Sequence, residues 1–481
     1  MTDPAQMHET HVSIVLLVGD RAVKLKKPVR YPFVDLSTRE LREQACRREV
    51  ELNRRLAPDV YLGVADIDGP DGTVCDHLVV MRRMSDARRL STLVTEHTAS
   101  DDDMSQLARL LAAFHARADT SPTIAAAGQR DAVQARWEAG FAEIQPFVGT
   151  VLDPDIEEEI EQLTRRYLEG REPLFEARIA LGKVVDGHGD LLADDIFMLP
   201  DGPRVLDCLE FDDGLRYGDV LADVAFLAMD LERLDAAALA SRFLAVYREL
   251  SGETHPPSLE HHYVAFRAHI RAKVACLRGD PQSASEARAL LDIALTQLRR
   301  ARVVLTLVGG DPGAGKSTLA GRIADRTGWA VLRSDEVRKD LAGIGHTDRA
   351  ATNVGEGIYT EAATAATYAE LLARAQLLLE QGQPVVLDAT WNDSRQRADA
   401  AALATATSSE LVEIRCSAPA SVREERVALR ARHRVDASDA GVEVVRELAA
   451  RADPWPTATT VDTSNGIDAA LAAGLRALGD R

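Results

Sequence analysis

The sequence predicts two domains of different class: an α+β domain of two lobes over residues 1–300, then an α/β domain with a parallel sheet flanked by helices over residues 301–481. Three observations predict it. Residues 12–82 alternate short apolar strands with one helical stretch, whereas residues 86–300 are mostly helical in spacing, so a small lobe of about residues 1–85 precedes a helical lobe of about residues 86–300. Beyond residue 303, apolar runs of strand length alternate with helical stretches, the order a parallel sheet requires. The third observation is one continuous piece: the apolar run 303–308 meets a glycine-rich turn, and a helix opens at Lys316 and Ser317.

Bulk composition narrows the class. A chain of 481 residues is too long for one core. Its 46% hydrophobic and 28% charged content is that of an ordinary globular protein. A net charge of −19 disfavours a basic nucleic-acid platform or an anionic-membrane surface, because both would be repelled over most of the molecule. Cys46, Cys75, Cys208, Cys276 and Cys416 are scattered, without the paired spacing of a zinc site or a disulfide framework, so a reducing cytoplasm is the expected location. The first eleven residues lack the basic and apolar regions of a signal peptide, and no apolar run is long enough to span a bilayer.

Residues 12–18 and 22–26 read as two strands joined at Gly19 and Asp20, a hairpin signal. Residues 38–56 carry Leu41, Ala45, Val50 and Leu52 at helical spacing until Pro58 stops the helix. A second strand pair is expected at 64–67 and 77–82, around Gly69, Pro70, Asp71 and Gly72. Helical patterns at 107–115, 132–144 and 156–168 give way at 184–213 and resume at 220–250, 261–278 and 286–302.

The interruption holds the first chemistry. His188, Gly189 and Asp190 are followed by Asp195, and the apolar pair Val205 and Leu206 leads into Asp207. Two carboxylates five residues apart, with a third ending an apolar strand, suit metal-dependent phosphoryl transfer: one accepts the proton of an acceptor hydroxyl while others hold Mg²⁺. This frame resembles the catalytic loop and metal-binding strand of the aminoglycoside phosphotransferases, which share the protein-kinase-like fold. The resemblance implies a bilobal kinase-like domain with Asp190 as catalytic base, Asp207 as chelating aspartate and Asp195 as a further metal ligand where the family usually has asparagine. Leu192 replaces a common second histidine. It also implies that Lys24 and Glu49 pair to hold the α/β-phosphates of ATP, although only Gly19 lies in the first hairpin and no glycine-rich kinase loop is present. Asp212, Asp213, Asp219 and Asp223 read as caps or hinge contacts.

The second constellation is Gly310, Asp311, Pro312, Gly313, Ala314, Gly315, Lys316, Ser317 and Thr318. Its spacing fits the phosphate loop, whose backbone N–H groups wrap a polyphosphate while Lys316 reaches the β/γ-phosphates and the Ser317 hydroxyl holds Mg²⁺. Asp335 ends the next short strand and is placed to take a proton from a substrate hydroxyl, with Arg338 behind it to bind substrate. Asp388, in the strand 384–390, is the carboxylate expected to support Mg²⁺. Arg423, Arg426 and Arg430 share a helix face, as a lid over a transferring phosphoryl group requires, with Arg426 and Arg430 the candidates for transition-state contact. As a frame, residues 301–481 resemble the small P-loop kinases of the zeta-toxin, gluconate-kinase and chloramphenicol-phosphotransferase group, and Asp335 with Arg338 is similar to a pair in kinases of polynucleotide ends.

Together these imply an ATP- and Mg²⁺-dependent kinase acting on a small hydroxylated molecule such as a sugar, aminocyclitol or antibiotic. Two alternatives stand beside that expectation: a kinase of polynucleotide ends, and a first domain that only senses nucleotide and regulates the second. No oligomeric state is legible.

Overall fold

Val18 pairs with Arg21 across Gly19 and Asp20, so the first hairpin closes in a two-residue turn where Gly19 takes φ +58°, a conformation glycine enters without steric cost. The computed structural model describes residues 6–10, 12–31, 34–346, 357–433 and 452–479, with the side chains of 430–433 outside that description. Its chain divides into two units: Met1–Glu161 with Phe175–His255 and Glu260–Leu298, and Gln162–Leu174 with Pro256–Leu259 and Arg299–Arg481.

In the first unit the hairpin strands Ser13–Val18 and Arg21–Lys26 lie within a five-stranded antiparallel sheet. Gln6–Glu9 forms one edge and Val74–Arg82 joins Tyr61–Asp68 at the other. The helix Arg39–Asn53 begins at Thr38, whose hydroxyl accepts the N–H of Leu41 at 3.3 Å. It packs Cys46 and Val50 against Tyr61, Val79 and Met81 of the sheet, a dry face that also buries Glu49. The helical part contains Asp101–His115, started by a capping box of Ser100 and Asp103, and Val220–Arg233, buried along nearly all its length. The helical spacing over 220–250 is broken: Asp235 adopts φ +58°, and Ala237–Ser251 starts a separate helix. Pro257–Arg278 and Pro281–Ala301 follow.

The second unit has five parallel strands in the spatial order Ala330–Arg333, Val385–Asp388, Val304–Gly309, Glu410–Ser417, Thr459–Asp462. Val304–Gly309 is buried at every residue, as a central strand covered on both faces must be. Residues 162–174 and 256–259, expected in the first domain, cluster here. Contacts of main chain explain this: a Cβ on Gly170 would lie 2.1 Å from the Thr407 carbonyl oxygen, and Arg171 and Ser258 donate to the carbonyls of Thr407 and Gly382 at 2.8 and 2.6 Å. No described helix is long and apolar enough to cross a membrane.

Candidate functional site

Lys24 and Lys26, two apart on one strand, point to the same side of the sheet. Lys24 lies 3.0 Å from Glu49 Oε1 and 2.8 Å from Asp207 Oδ1. Lys26, which sequence reasoning passed over, binds Glu49 Oε2 at 2.6 Å and also pairs with Glu210. Burial works against both ammonium groups, but the surrounding carboxylates outweigh it and hold both lysines above their ordinary range. Burial likewise opposes the Glu49 carboxylate, and Lys24 and Lys26 bring it below its ordinary value. The spacing of Lys24 and Lys26 was a usable signal; an alternating strand has no reason to bury two lysines unless a carboxylate waits opposite.

Asp207 takes φ +63°, a left-handed conformation uncommon for a residue with a side chain. Its N–H meets the Tyr61 hydroxyl at 3.3 Å, and the charge of Lys24 holds its carboxyl below the usual range. His188 ties this strand end to the loop that bears Asp190. Its Nε2 donates to the Leu206 carbonyl at 3.1 Å, and its Nδ1 accepts the Asp190 N–H at 3.4 Å. Only the Nε2–H tautomer makes both bonds, and burial pushes the imidazole down to about 4, which keeps it neutral.

The loop is fixed from below by Asp223, whose Oδ2 accepts the His188 N–H at 2.7 Å and whose Oδ1 accepts the Gly189 N–H at 2.8 Å. His115 reaches the same carboxylate at 3.1 Å and meets the Tyr247 hydroxyl at 2.8 Å. Burial would raise the Asp223 carboxyl, yet the bonds from His115 and the His188 amide hold it far below the carboxylate range. Asp223 thus holds the backbone of the loop that bears Asp190, a contact that the sequence reading left among caps and hinges. Burial lifts Asp190 to about 6, with Arg271 and Arg267 opposing and Asp207 reinforcing. Asp195 rises well above its ordinary value through burial and the nearby Asp207 and Asp190.

In the second unit each loop glycine answers a close approach. A Cβ on Gly310, at φ +128°, would stand 2.4 Å from the Cys416 carbonyl oxygen, and one on Gly313, at φ +83°, 2.6 Å from that of Arg423. Gly315, at φ +87°, precedes the helix Lys316–Thr327. Asp388 hydrogen-bonds Ser317; burial raises its carboxyl against the pull of Lys316 and of that bond. Asp335 lies in the first turn of the helix Ser334–Ala342. Arg338 donates to the Ile358 carbonyl at 2.9 Å and to Thr364 Oγ1 at 3.2 Å, and its guanidinium lies 5.1 Å from the centre of the Tyr359 ring.

Arg423 and Arg426, on the helix Ala420–His433, both turn towards the phosphate loop. Arg423 pairs with Asp311, while Arg426 donates to the Gly313 carbonyl at 3.3 Å and to the Thr463 carbonyl at 2.7 Å. The Arg430 side chain lies outside the described residues. A hollow of about 380 Å³ opens beside the loop between Gly315, Thr318, Arg426, Thr463 and Gly466. Thr463 and Gly466 carried no recognisable signal, because they meet the loop only through the last strand of the sheet.

Fold and site together define a kinase-like two-lobed unit joined in one chain to a P-loop unit. A family model described as "AAA domain", AAA_33, matches residues 305–455. "Uncharacterized protein Rv2004c" of Mycobacterium tuberculosis is 45% identical over 461 residues, covering 95% of this chain and 92% of that relative, and this chain belongs to the same family. Among solved structures, a choline/ethanolamine kinase family protein from Mesorhizobium loti is similar at 14% identity, covering 62% of this chain and 93% of that one with a TM-score of 0.39. A gluconokinase from Sinorhizobium meliloti 1021 is similar at 16% identity, covering 37% and 91% with a TM-score of 0.27.

Proposed function

We propose that the chain is an ATP-dependent phosphotransferase with two catalytic sites, each passing the γ-phosphoryl group to the hydroxyl of a small molecule. The observation that carries this reading is the arrangement around Asp207: Lys24 bridges it to Glu49, and His188 binds its strand to the loop of Asp190. In this reading Lys24 holds nucleotide phosphates, Asp190 takes the acceptor's proton, and Asp223 keeps the loop in place.

The donor sets fit Mg²⁺. No cluster of three His, Cys, Asp or Glu side chains suited to a metal occurs among the described residues, but Mg²⁺ in such sites takes one or two carboxylates and completes its shell with water and phosphate oxygens. Asp195 and Asp207 would supply these in the first unit, and Ser317 with Asp388 in the second. Burial raises Asp195 most, and Asp207 and Asp190 add to it; that part of the shift is a repulsion that a divalent cation would relieve. When bound, Mg²⁺ neutralises charge on the transferring phosphoryl group.

For the second unit Asp335 is the proposed base and Arg338 the substrate anchor. The Arg338 Nε is buried without a hydrogen-bond partner among the described residues, which supports a donor reserved for substrate. The net charge of −19 favours a small acceptor over nucleic acid. Incubating the full chain with ATP, Mg²⁺ and a metabolite extract, followed by mass spectrometry, tests the proposal. Two catalytic sites require that Asp190→Asn and Lys316→Ala each lose a different phosphorylated product; a product profile for Asp190→Asn identical to wild type would leave the first unit a nucleotide sensor.

A further inference from the structure

Behind the loop of Asp190, the first unit encloses a cavity of about 330 Å³ whose wall includes Gly187, Asp223, Tyr263, Arg136 and Arg267. Its carboxylates are already committed. Glu143 binds Lys273 at 2.6 Å, Asp219 binds Arg178 at 2.7 Å, and Asp223 holds His115 and two backbone amides. Arg216, also in the wall, is taken by Asp186 at 2.7 Å.

Arg136 and Arg267 are different. Arg136 donates to the Tyr217 carbonyl at 2.9 Å, and Arg267 to the Ala222 carbonyl at 2.8 Å, with its guanidinium 4.7 Å from the centre of the Phe226 ring. Neither makes an ion pair among the described residues. Burial is the largest influence on both and pulls each guanidinium below the usual arginine range, although Asp223 and Asp190 act the other way on Arg267 and Asp212 on Arg136; these carboxylates are near but form no ion pair with either arginine among the described residues. A pair of half-buried cations on one cavity wall is costly unless something anionic enters. Both also keep N–H donors beyond those used on carbonyls, in the planar fork that suits phosphate, sulfate or carboxylate.

We infer that this cavity is the acceptor subsite of the first unit and that it takes a small molecule carrying an anionic group, held by Arg136 and Arg267. The inference rests on the reading of Asp190 as catalytic base, and it narrows that reading: a cationic aminocyclitol would be repelled by the two guanidinium groups. The cavity lies next to the reacting loop, since Gly187 lines it and Asp223 in its wall grips the amides of His188 and Gly189.

Crystals of the full chain soaked in sodium tungstate, an electron-dense phosphate mimic, test this, with the phosphate loop of the second unit as internal control for anion entry. The expected result is a tungstate peak within hydrogen-bond distance of Arg136 and Arg267; a filled phosphate loop beside an empty cavity overturns the inference. In solution, inorganic phosphate titrated into Lys316→Ala protein reads the cavity. Adding Arg136→Gln and Arg267→Gln should weaken that binding at least about tenfold, and Arg267→Lys, which keeps the charge, should weaken it less. Unchanged phosphate affinity in the double variant counts against the site. Tungstate in the cavity while Asp190→Asn leaves transfer intact would keep the anion site and remove the catalytic reading. Transfer lost in Asp190→Asn while the cavity stays empty would do the reverse.

Discussion

Lys24 donates to Asp207 at 2.8 Å while Glu49, 3.0 Å from the same ammonium, is gripped through its other oxygen by Lys26 at 2.6 Å. The two lysines differ in access: the Lys24 side chain is 14% exposed and that of Lys26 only 1%. On the proposed reading Lys24 exchanges Asp207 for a nucleotide phosphate, whereas the buried Lys26 stays with Glu49 and Glu210.

Lys26→Met should cost about 3–5 kcal/mol of stability in the first unit, since it strips a buried carboxylate of one of its two cations. Lys24→Met also takes a cation from Glu49, but should cost less, because Glu49 keeps the shorter contact to the fully buried Lys26 and the other partner, Asp207, is half exposed; it should weaken nucleotide binding more. Urea unfolding and nucleotide titration of both variants check this. Equal destabilisation with equal loss of affinity would mean that the two lysines are not divided in role.

Asp190→Asn should raise stability while removing transfer from the first unit. The folded pKa of about 6 lies above the ordinary aspartate value of 3.8, so the folded state holds its proton more tightly. Stability from this group is full below the unfolded value and lost as pH rises through about 6; at neutral pH the ionised carboxylate is a burden. Removing it should return about 1–2 kcal/mol, reduced from the full shift because the residue is only half-buried. Transfer through this site should correspondingly rise with pH through about 6 in the wild type. A lower melting temperature for Asp190→Asn at pH 7 would contradict this balance.

Much of this was legible in the sequence, for identifiable reasons. The phosphate loop is a local motif, and a run of glycines at fixed spacing states its backbone demands outright. Lys24 and Glu49 could be paired only through a resemblance, because 25 residues and a change from strand to helix separate them. The contacts made by Lys26, Asp223 and Thr463 were harder to foresee for a common reason: each acts on an atom brought close by tertiary packing, on Glu49, on the His188 amide and on the Ala314 carbonyl. The break at Asp235 was hidden too, because apolar spacing continues on both sides of it.

Lys316→Ala and Gly313→Ala should both stop transfer by the second unit, by different routes. Removing the lysine takes away a charge contact to the transferring group and should leave the fold intact. Alanine at 313 would place a Cβ 2.6 Å from the Arg423 carbonyl oxygen at φ +83°, so main chain must move. That strain is worth about 1–3 kcal/mol, and nucleotide affinity should fall together with stability. Thermal unfolding with and without nucleotide separates the two; a Gly313→Ala protein as stable as wild type would show that the loop can relax.

Asp223→Asn tests whether the loop of Asp190 depends on a carboxylate whose oxygens are spent on the amides of His188 and Gly189 and on His115. The substitution keeps the shape of the side chain but replaces one acceptor oxygen with an N–H₂ group, which cannot receive the amide of His188 or Gly189. Asp190 would lose its fixed position, and a displacement of about 1 Å at a reacting group can cost on the order of 100-fold. Because Lys24 and Glu49 are held by other elements, kcat should fall by about that factor while the nucleotide KM changes little. Acid stability supplies a second readout. The Asp223 carboxyl is depressed in the folded state, so its contribution is present above the ordinary aspartate range and is lost as pH falls below it. Asp223→Asn should therefore lower stability at neutral pH and flatten the acid limb of the stability profile. A variant with unaltered kcat but a lost acid limb would show that Asp223 holds the fold without setting the loop.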